Sequence, residues 1–527
     1  MRLAALLGVS VSLVVAASPC VAQSTRVGPA RGTVVVVGGG SLGPDVLGKF
    51  IELAGGPDAL IIDVPTAGGD SVYPSDWQGT RPLKQAGARH VVVLHTIDRR
   101  LADSDSFAAV IGRASGVWFE GGRQWHLVDS YAGTKTERAF HAVLARGGVV
   151  GGSSAGASIL ASYLLRGARE GNTIIMAPGY EHGFAFLRGV AIDQHVVARE
   201  RLPDLADSLM PRHPELLGMS EDEGTAWFVH GDTAEIVGRN KAFVYGGGDP
   251  NDAGKPFLTL YPGDRYDLGA RRVLHRASDD APFTGAFVDS LFSTLASGSA
   301  ATVLVAQSGK VLVDRSYGIP AQARYMPTTT VPNFPLGGLS AGFAATTALL
   351  VARDGRLFLD QPIDAGNATT TREYLAAPPP WPDSGRQLAE LITKQSAIPF
   401  TQLVTRRIFV PIGAHKTVVM PDGQLQSNVD ELYRWELGLE HNREFGVDSV
   451  PATDGSADVR QPAARGAGWR ADSYRGVTRF AEYGTAIGHR NAFVRIPDRK
   501  AVIIILTNSD AFDARATADA ISDRLLR

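Results

Sequence analysis

The chain has 527 residues, 52 Lys+Arg against 54 Asp+Glu for a formal net charge of −2, and 44% hydrophobic residues. That length exceeds what one hydrophobic core supports and implies roughly two to four domains. The near-neutral balance, with no basic run and no interleaved aromatic stripe, excludes nucleic acid and an anionic membrane surface as expected partners.

Met1-Arg2, the apolar stretch Leu3 to Ala17 and the small-residue pattern Cys20-Val-Ala22 have the layout of a secretory signal peptide over residues 1–22. The apolar run is short for a membrane span. A mature protein that is secreted or periplasmic, with no membrane attachment after cleavage, is the expectation. Cys20 is the single cysteine, so the mature chain would have no disulfide, thiolate nucleophile or Cys-ligated metal.

From Gly32 the pattern alternates between strand and helix. Strands are expected at Thr33–Val37, Ala59–Val64, His90–Leu94, Gly116–Phe119 and Gly148–Val150, with a helix over Asp45–Ala54. Short apolar strands separated by helical patterns imply an α/β domain, a parallel sheet flanked by helices, assigned to residues 30–268. Gly38-Gly-Gly-Ser-Leu-Gly43, with Asp63 about 20 residues further on, has dinucleotide-site spacing. Such a turn is generic to α/β folds, and the structural reading is kept. Asp249-Pro-Asn-Asp-Ala-Gly254 opens like a calcium loop, but Ala253 and Leu260 stand at ligand positions. No metal and no cofactor are expected.

Gly151-Gly-Ser-Ser-Ala-Gly-Ala157 follows a β-forming run and precedes the helix-capable run Ser158–Leu165. A strand turning sharply into a helix with serine at the turn is a nucleophile elbow, and Gly152, Ala155 and Gly156 leave the Ser154 hydroxyl room. The helix start would offer N–H groups to an oxyanion. A serine hydroxyl needs a base and usually an orienting carboxylate. His195 ends the apolar run Ala191–His195, and Ser220–Ala226 contains Glu221, Asp222 and Glu223. Residue chemistry alone leaves the choice among these carboxylates, and among the 12 histidines, open.

Residues 269–282 are polar and read as a linker. Beyond them, over 283–527, hairpins are expected at Ala301–Ala306 with Val311–Asp314 and at Ala492–Ile496 with Ala501–Leu506. Helices are expected at Ala341–Ala352 and Ala514–Leu526, and a rigid loop at Pro378–Pro382. Hairpins at both ends around helical material suggest an α+β domain with one antiparallel sheet.

The first domain resembles the cyanophycinase family of serine peptidases, relatives of aspartyl dipeptidase on a class I glutamine-amidotransferase-like fold. The matching pieces occur in family order: Val36-Val-Gly-Gly-Gly40, Phe119-Glu-Gly-Gly-Arg-Gln124, Gly152-Ser-Ser-Ala-Gly-Ala157, Asp193-Gln-His195 with Arg199 and Arg201, and Asp222-Glu-Gly-Thr-Ala226. The resemblance implies Ser154 as nucleophile, His195 as general base and acid, and Glu223 as the group orienting His195. It implies Gly122 and Ala155 as oxyanion donors, Gln124, Arg199 and Arg201 as substrate-binding residues, and Asp193 as a positioning residue. The chain order Ser…His…Glu differs from the Ser…Asp/Glu…His order of α/β-hydrolases. Departures are Ser153 for the family's common Thr, Val196 for an aromatic, and Arg201-Leu-Pro-Asp-Leu205, which lacks a third arginine.

The second domain resembles the serine β-lactamase and penicillin-binding-protein family through Leu336-Gly-Gly-Leu-Ser-Ala-Gly-Phe343, Asp354–Ile363, Ile408–Gly413 and Gly488-His489. That chemistry needs Ser-x-x-Lys. Aligned on Phe343, the two positions hold Gly338 and Ala341, and Tyr-x-Asn is replaced by Trp381-Pro-Asp383. The domain is read as catalytically inactive, with ligand binding, packing or homodimer formation as its remaining roles. A peptide or polypeptide substrate follows for the whole chain: cyanophycin (multi-L-arginyl-poly-L-aspartate) or a related β-substituted aspartyl peptide, cleaved to β-Asp-Arg-type dipeptides. The alternatives are an aspartyl dipeptidase-like enzyme and a catalytically inactive cell-envelope binding protein.

Overall fold

The computed structural model describes residues 26–318, 333–363, 369–376, 383–420, 423–441 and 470–527. The signal-peptide reading of residues 1–22, the Pro378–Pro382 loop and Trp381-Pro382 lie outside the described residues. The chain is a mixed α/β protein, with a large, partly parallel sheet flanked by helices and a separate antiparallel sheet.

The large sheet is built around Thr33–Val37, whose residues are all buried. Period-two alternation divides them. Val35 and Val37 face the helix Pro44–Leu53 through Phe50 and Ile51, while Val34 and Val36 face the opposite core with Phe140 and Val143. Each such side chain contributes about 1.5–3 kcal/mol by leaving water. Thr33–Val37 pairs in parallel with Val149–Ser153, which pairs with Gly116–Phe119, then Leu60–Val64, then His90–Val93.

The other half of this sheet is antiparallel. Thr225–His230 pairs with Thr33–Val37, and Thr233–Gly238, Arg265–Asp267 and Arg272–His275 follow outward. The stretch 269–282, expected as a linker, therefore holds the outer strand of the first domain's sheet.

A second sheet has the order Leu258–Leu260, Ala242–Tyr245, Leu217–Glu221, Leu187–Gln194, Ala161–Tyr163. Its last strand corrects the helix expected over Ser158–Leu165. Only one turn, Ala155–Ser158, is helical before the chain extends again. The run is apolar without helical periodicity: Ile159, Leu160, Leu164 and Leu165, which flank the short strand, are fully buried, as is Ala161 within it.

In the C-terminal part the two expected hairpins form one sheet. Ala301–Gln307 pairs with Lys310–Tyr317 on one side and Ala501–Thr507 on the other, and the order continues through His489–Ile496, Val477–Ala486 and Arg470–Tyr474. Helix Ala514–Leu525 packs on one face through Ala518, Ile521 and Leu525. Helix Ser340–Arg353 lies in the core on the other, among Phe343, Leu350, Trp435 and Phe493.

Candidate active site

Carboxyl ends of four strands converge, which is where parallel α/β sheets bind ligands. In the large sheet Val37 is level with Ser153, so the Gly38-Gly39-Gly40 turn lies beside Ser154. In the second sheet Gln194 is level with Glu221, so His195 emerges beside Asp222 and Glu223.

Ser154 adopts φ +57° and ψ −116°, a conformation costly for a residue with a Cβ, and its N–H is held by the Val37 carbonyl at 3.0 Å. His195 also has φ +57°, with its N–H on the Gly38 carbonyl at 3.0 Å. The imidazole bridges the two partners. Nε2 lies 2.9 Å from Ser154 Oγ and Nδ1 lies 2.7 Å from Glu223 Oε1. With Nδ1–H donated to the carboxylate, Nε2 is left to accept the serine proton. The His195 hydrogen bond, then that of His415, holds the Glu223 carboxyl well below the usual carboxylate range.

The glycine turn is shaped by this group. A Cβ on Gly39 would stand 2.1 Å from His195 Cε1, and one on Gly40 would stand 2.8 Å from Glu223 Cβ and Oε2. Gly39 and Gly40 thus lie against His195 and Glu223, and Gly38 lies against the Asp222 carbonyl.

The three adjacent carboxylates do different work. Glu221 is buried, accepts from Trp227 Nε1 at 2.9 Å, and is pushed up by burial. Asp222 accepts from the N–H groups of Val197 and Ala198 at 3.1 and 2.9 Å, fixing the chain just after His195. Glu223 is the one on the imidazole.

The expected oxyanion residues flank the serine. Ala155 is buried immediately after it. In the facing loop, a Cβ on Gly121 would approach Ser154 Cβ to 3.4 Å, while Gly122 packs against the Ala67 carbonyl at φ +145°. Preceding them, Glu120 is pushed up to about 7 by burial, and neighbouring Asp63, wholly buried on Leu60–Val64, is raised by burial and then by Glu120.

The expected substrate-binding residues are dispersed. Gln124 is buried with its amide on the Leu165 carbonyl at 3.2 Å. Arg199 is exposed. Arg201 is buried, donates Nη1 to the backbone and side-chain oxygens of Gln194 at 3.3 and 3.2 Å, and is lowered to about 10 by burial and then by Arg166. Gln124 and Arg201 are thus both buried and hydrogen-bonded within the chain. Asp193 is fully buried and forked by Arg166, with Nε and Nη2 at 2.8 and 2.7 Å. Arg166 also bonds Asp204, the residue at the missing third-arginine position.

Residues of the C-terminal part close the back of the group. His415 Nε2 lies 3.3 Å from Glu223 Oε2. Arg434 donates to Asn240 Oδ1 at 2.7 Å and lies 3.7 Å from Asp222. Lys241 is buried between Asp430 at 2.8 Å and Asp314 at 3.1 Å. None of these was singled out from sequence, because their partners lie far along the chain. Ser340 of the second Gly-x-Ser-Ala-Gly is buried and accepts from the Leu425 N–H at 3.1 Å. Among the described residues no cluster of three or more His, Cys, Asp or Glu is arranged to hold a metal. Asp252 of the calcium-like loop accepts from the Thr259 N–H at 3.2 Å.

The geometry sets a serine, an imidazole and a carboxylate in line, and comparison with known proteins supports the peptidase class. Residues 34–237 match the model of Peptidase family S51. A cyanophycinase from Geminocystis herdmanii is 28% identical over 223 residues, 41% of this chain and 81% of that protein. A cyanophycinase from Synechococcus elongatus is 28% identical over 271 residues, 47% of this chain and 82% of that protein. Among solved structures, a peptidase from an acI-B1 Actinobacterium aligns over 46% of this chain and 98% of its own, at 22% identity and a TM-score of 0.37. A penicillin-binding protein homologue from Pyrococcus abyssi aligns over 46% and 76%, at 14% identity and a TM-score of 0.37. The chain carries a peptidase S51 domain over residues 34–237, and that domain is cyanophycinase-like.

Proposed function

We propose that the protein is an exported serine peptidase that hydrolyses cyanophycin or another β-substituted aspartyl peptide. The observation that carries this reading is the unbroken chain Ser154 Oγ, His195 Nε2, His195 Nδ1, Glu223 Oε1, with contacts of 2.9 and 2.7 Å. Ser154 Oγ attacks the scissile carbonyl carbon as its proton passes to His195 Nε2. The backbone N–H groups of Ala155 and Gly122 receive the oxyanion. The C–N bond breaks as His195 returns the proton to the leaving amine. Water, deprotonated by His195, then hydrolyses the acyl ester. Glu223 keeps the imidazole oriented and stabilises its charged form.

The relation to cyanophycinases supports the substrate class, and an intact polymer must be met outside the cell, in keeping with the signal-peptide pattern of residues 1–22. The arginine set departs from the family pattern at Asp204, which pairs with Arg166, and an aspartyl dipeptide is the second substrate within the same chemistry. The C-terminal domain is read as an inactive β-lactamase-like unit, which the burial of Ser340 and its bond to Leu425 support.

Purified mature protein incubated with cyanophycin is expected to release β-Asp-Arg dipeptides, and Ser154→Ala to release none. Turnover of an aspartyl dipeptide but not of the polymer would select the second substrate. Activity undiminished in Ser154→Ala would sink the mechanism.

A further inference from the structure

We infer that His415, contributed by the C-terminal domain, is a positioning residue of the Ser154–His195–Glu223 group, so that the appended domain completes the peptidase site. The inference rests on the serine-peptidase reading above.

Glu223 has two carboxylate oxygens. Oε1 faces His195 Nδ1 at 2.7 Å, and Oε2 faces His415 Nε2 at 3.3 Å. The rest of Glu223 is already confined. Its backbone carbonyl accepts from Asn240 Nδ2 at 3.1 Å, Gly40 lies against its side chain, and the following Gly224 N–H is bound by the Gly39 carbonyl at 2.8 Å. A donor on Oε2 adds a second point of fixation to a carboxylate held at Oε1 by His195. An orienting group must itself be oriented for the imidazole to stay aimed at Ser154.

The loop carrying His415 is built into place. Lys416 N–H bonds Glu431 Oε1 at 2.6 Å, Thr417 bonds the same carboxylate, and Ala414 N–H bonds the Phe409 carbonyl at 2.8 Å. Arg434 links the Gly413 carbonyl to Asn240, and Asn240 in turn bonds Asp222 Oδ2 at 2.7 Å. The charged groups acting on His415 are Glu223, Arg434 and Glu431, and the Glu223 hydrogen bond comes first in raising its pKa. The second domain supplies this donor although its own Ser340 is enclosed.

The test uses the full chain and a fluorophosphonate probe, which phosphonylates an activated serine with loss of fluoride and needs no knowledge of the substrate. His415→Ala is expected to slow labelling of Ser154 about tenfold, the worth of one hydrogen bond to a charged group. His415→Gln, which keeps an N–H donor at the Nε2 position, is expected to restore most of that rate. Wild-type rate in His415→Ala overturns the inference, and so does equal slowing in both variants, since the donor would then be irrelevant. Those results leave the triad standing, whereas labelling that persists in Ser154→Ala brings down the serine-peptidase reading itself.

Discussion

Ser154 and His195 share a torsion that residues with a Cβ seldom adopt, φ +57° at each, and their side chains meet at 2.9 Å. Both stand where a buried strand ends and the chain must reverse at once. The strain holds the hydroxyl and the imidazole toward each other. Replacing Ser154 by glycine removes the Cβ that makes this torsion costly. We expect Ser154→Gly to raise the urea midpoint, equivalent to about 1 kcal/mol, and to abolish fluorophosphonate labelling. Ser154→Ala should abolish labelling without that gain. A lower midpoint for the glycine variant would show that the torsion is not strained.

Gly39 and Gly48 form a matched pair for substitution by alanine. At Gly39 the new Cβ would fall 2.1 Å from the His195 ring, at a φ of +96°. The ring must shift, and labelling should fall by at least about 100-fold, the effect of a misplacement near 1 Å. At Gly48, in helix Pro44–Leu53, a Cβ meets nothing within 4 Å. Gly48→Ala should stabilise by about 0.5–1 kcal/mol and leave labelling unchanged.

Arg166 and Asp193 form a fully buried pair. Arg166→Met alone would leave the Asp193 charge without its fork and should cost about 3–5 kcal/mol in denaturant titration. The double variant Arg166→Met, Asp193→Asn should recover part of that loss. Equal destabilisation of the single and double variants would mean that packing, not charge pairing, is what Arg166 supplies.

Glu120 carries a pH prediction. Burial raises its folded pKa to about 7, while the unfolded carboxyl titrates near its ordinary value of about 4.3. Between these values the folded chain binds the extra proton, so the contribution of Glu120 is full below the lower value and is lost as pH rises through about 7. Glu120→Gln should flatten the fall in melting temperature across that window. A slope unchanged from wild type would assign it to other groups.

Ser340→Ala removes the hydroxyl that accepts from Leu425. A cost of about 1 kcal/mol is expected, with labelling by fluorophosphonate or by a fluorescent penicillin as in the wild type. Penicillin labelling that disappears in this variant would reveal a second active serine.

Ser154 was legible because its signal is local: a strand, small residues and a hydroxyl within a few positions. His195 and Glu223 became legible only through a family pattern, since their approach depends on two neighbouring strands, Leu187–Gln194 and Leu217–Glu221, held in register. The helix expected after Ser154 failed for a physical reason. A continuous apolar run satisfies either a buried helix or a buried strand, and the sheet beside it selected the strand. His415 was not legible at all. It reaches Glu223 across 192 positions from another domain, and no periodicity or spacing announces such a contact. Arg201 was legible as a family-matched position, but the contact of its guanidinium with Gln194 was not.

Lys241 sets the terms on which this chain could be dissected. Its ammonium is buried in the first domain's strand Ala242–Tyr245 edge, and both carboxylates beside it, Asp314 and Asp430, come from the second domain. A cut after residue 282 would strip both counter-charges from it in one step. An isolated peptidase domain would inherit a buried cation without the two carboxylates that now face it, at the newly opened surface. Making that domain self-sufficient therefore begins at position 241, with an uncharged side chain of similar reach, before any redesign of the loops around the serine.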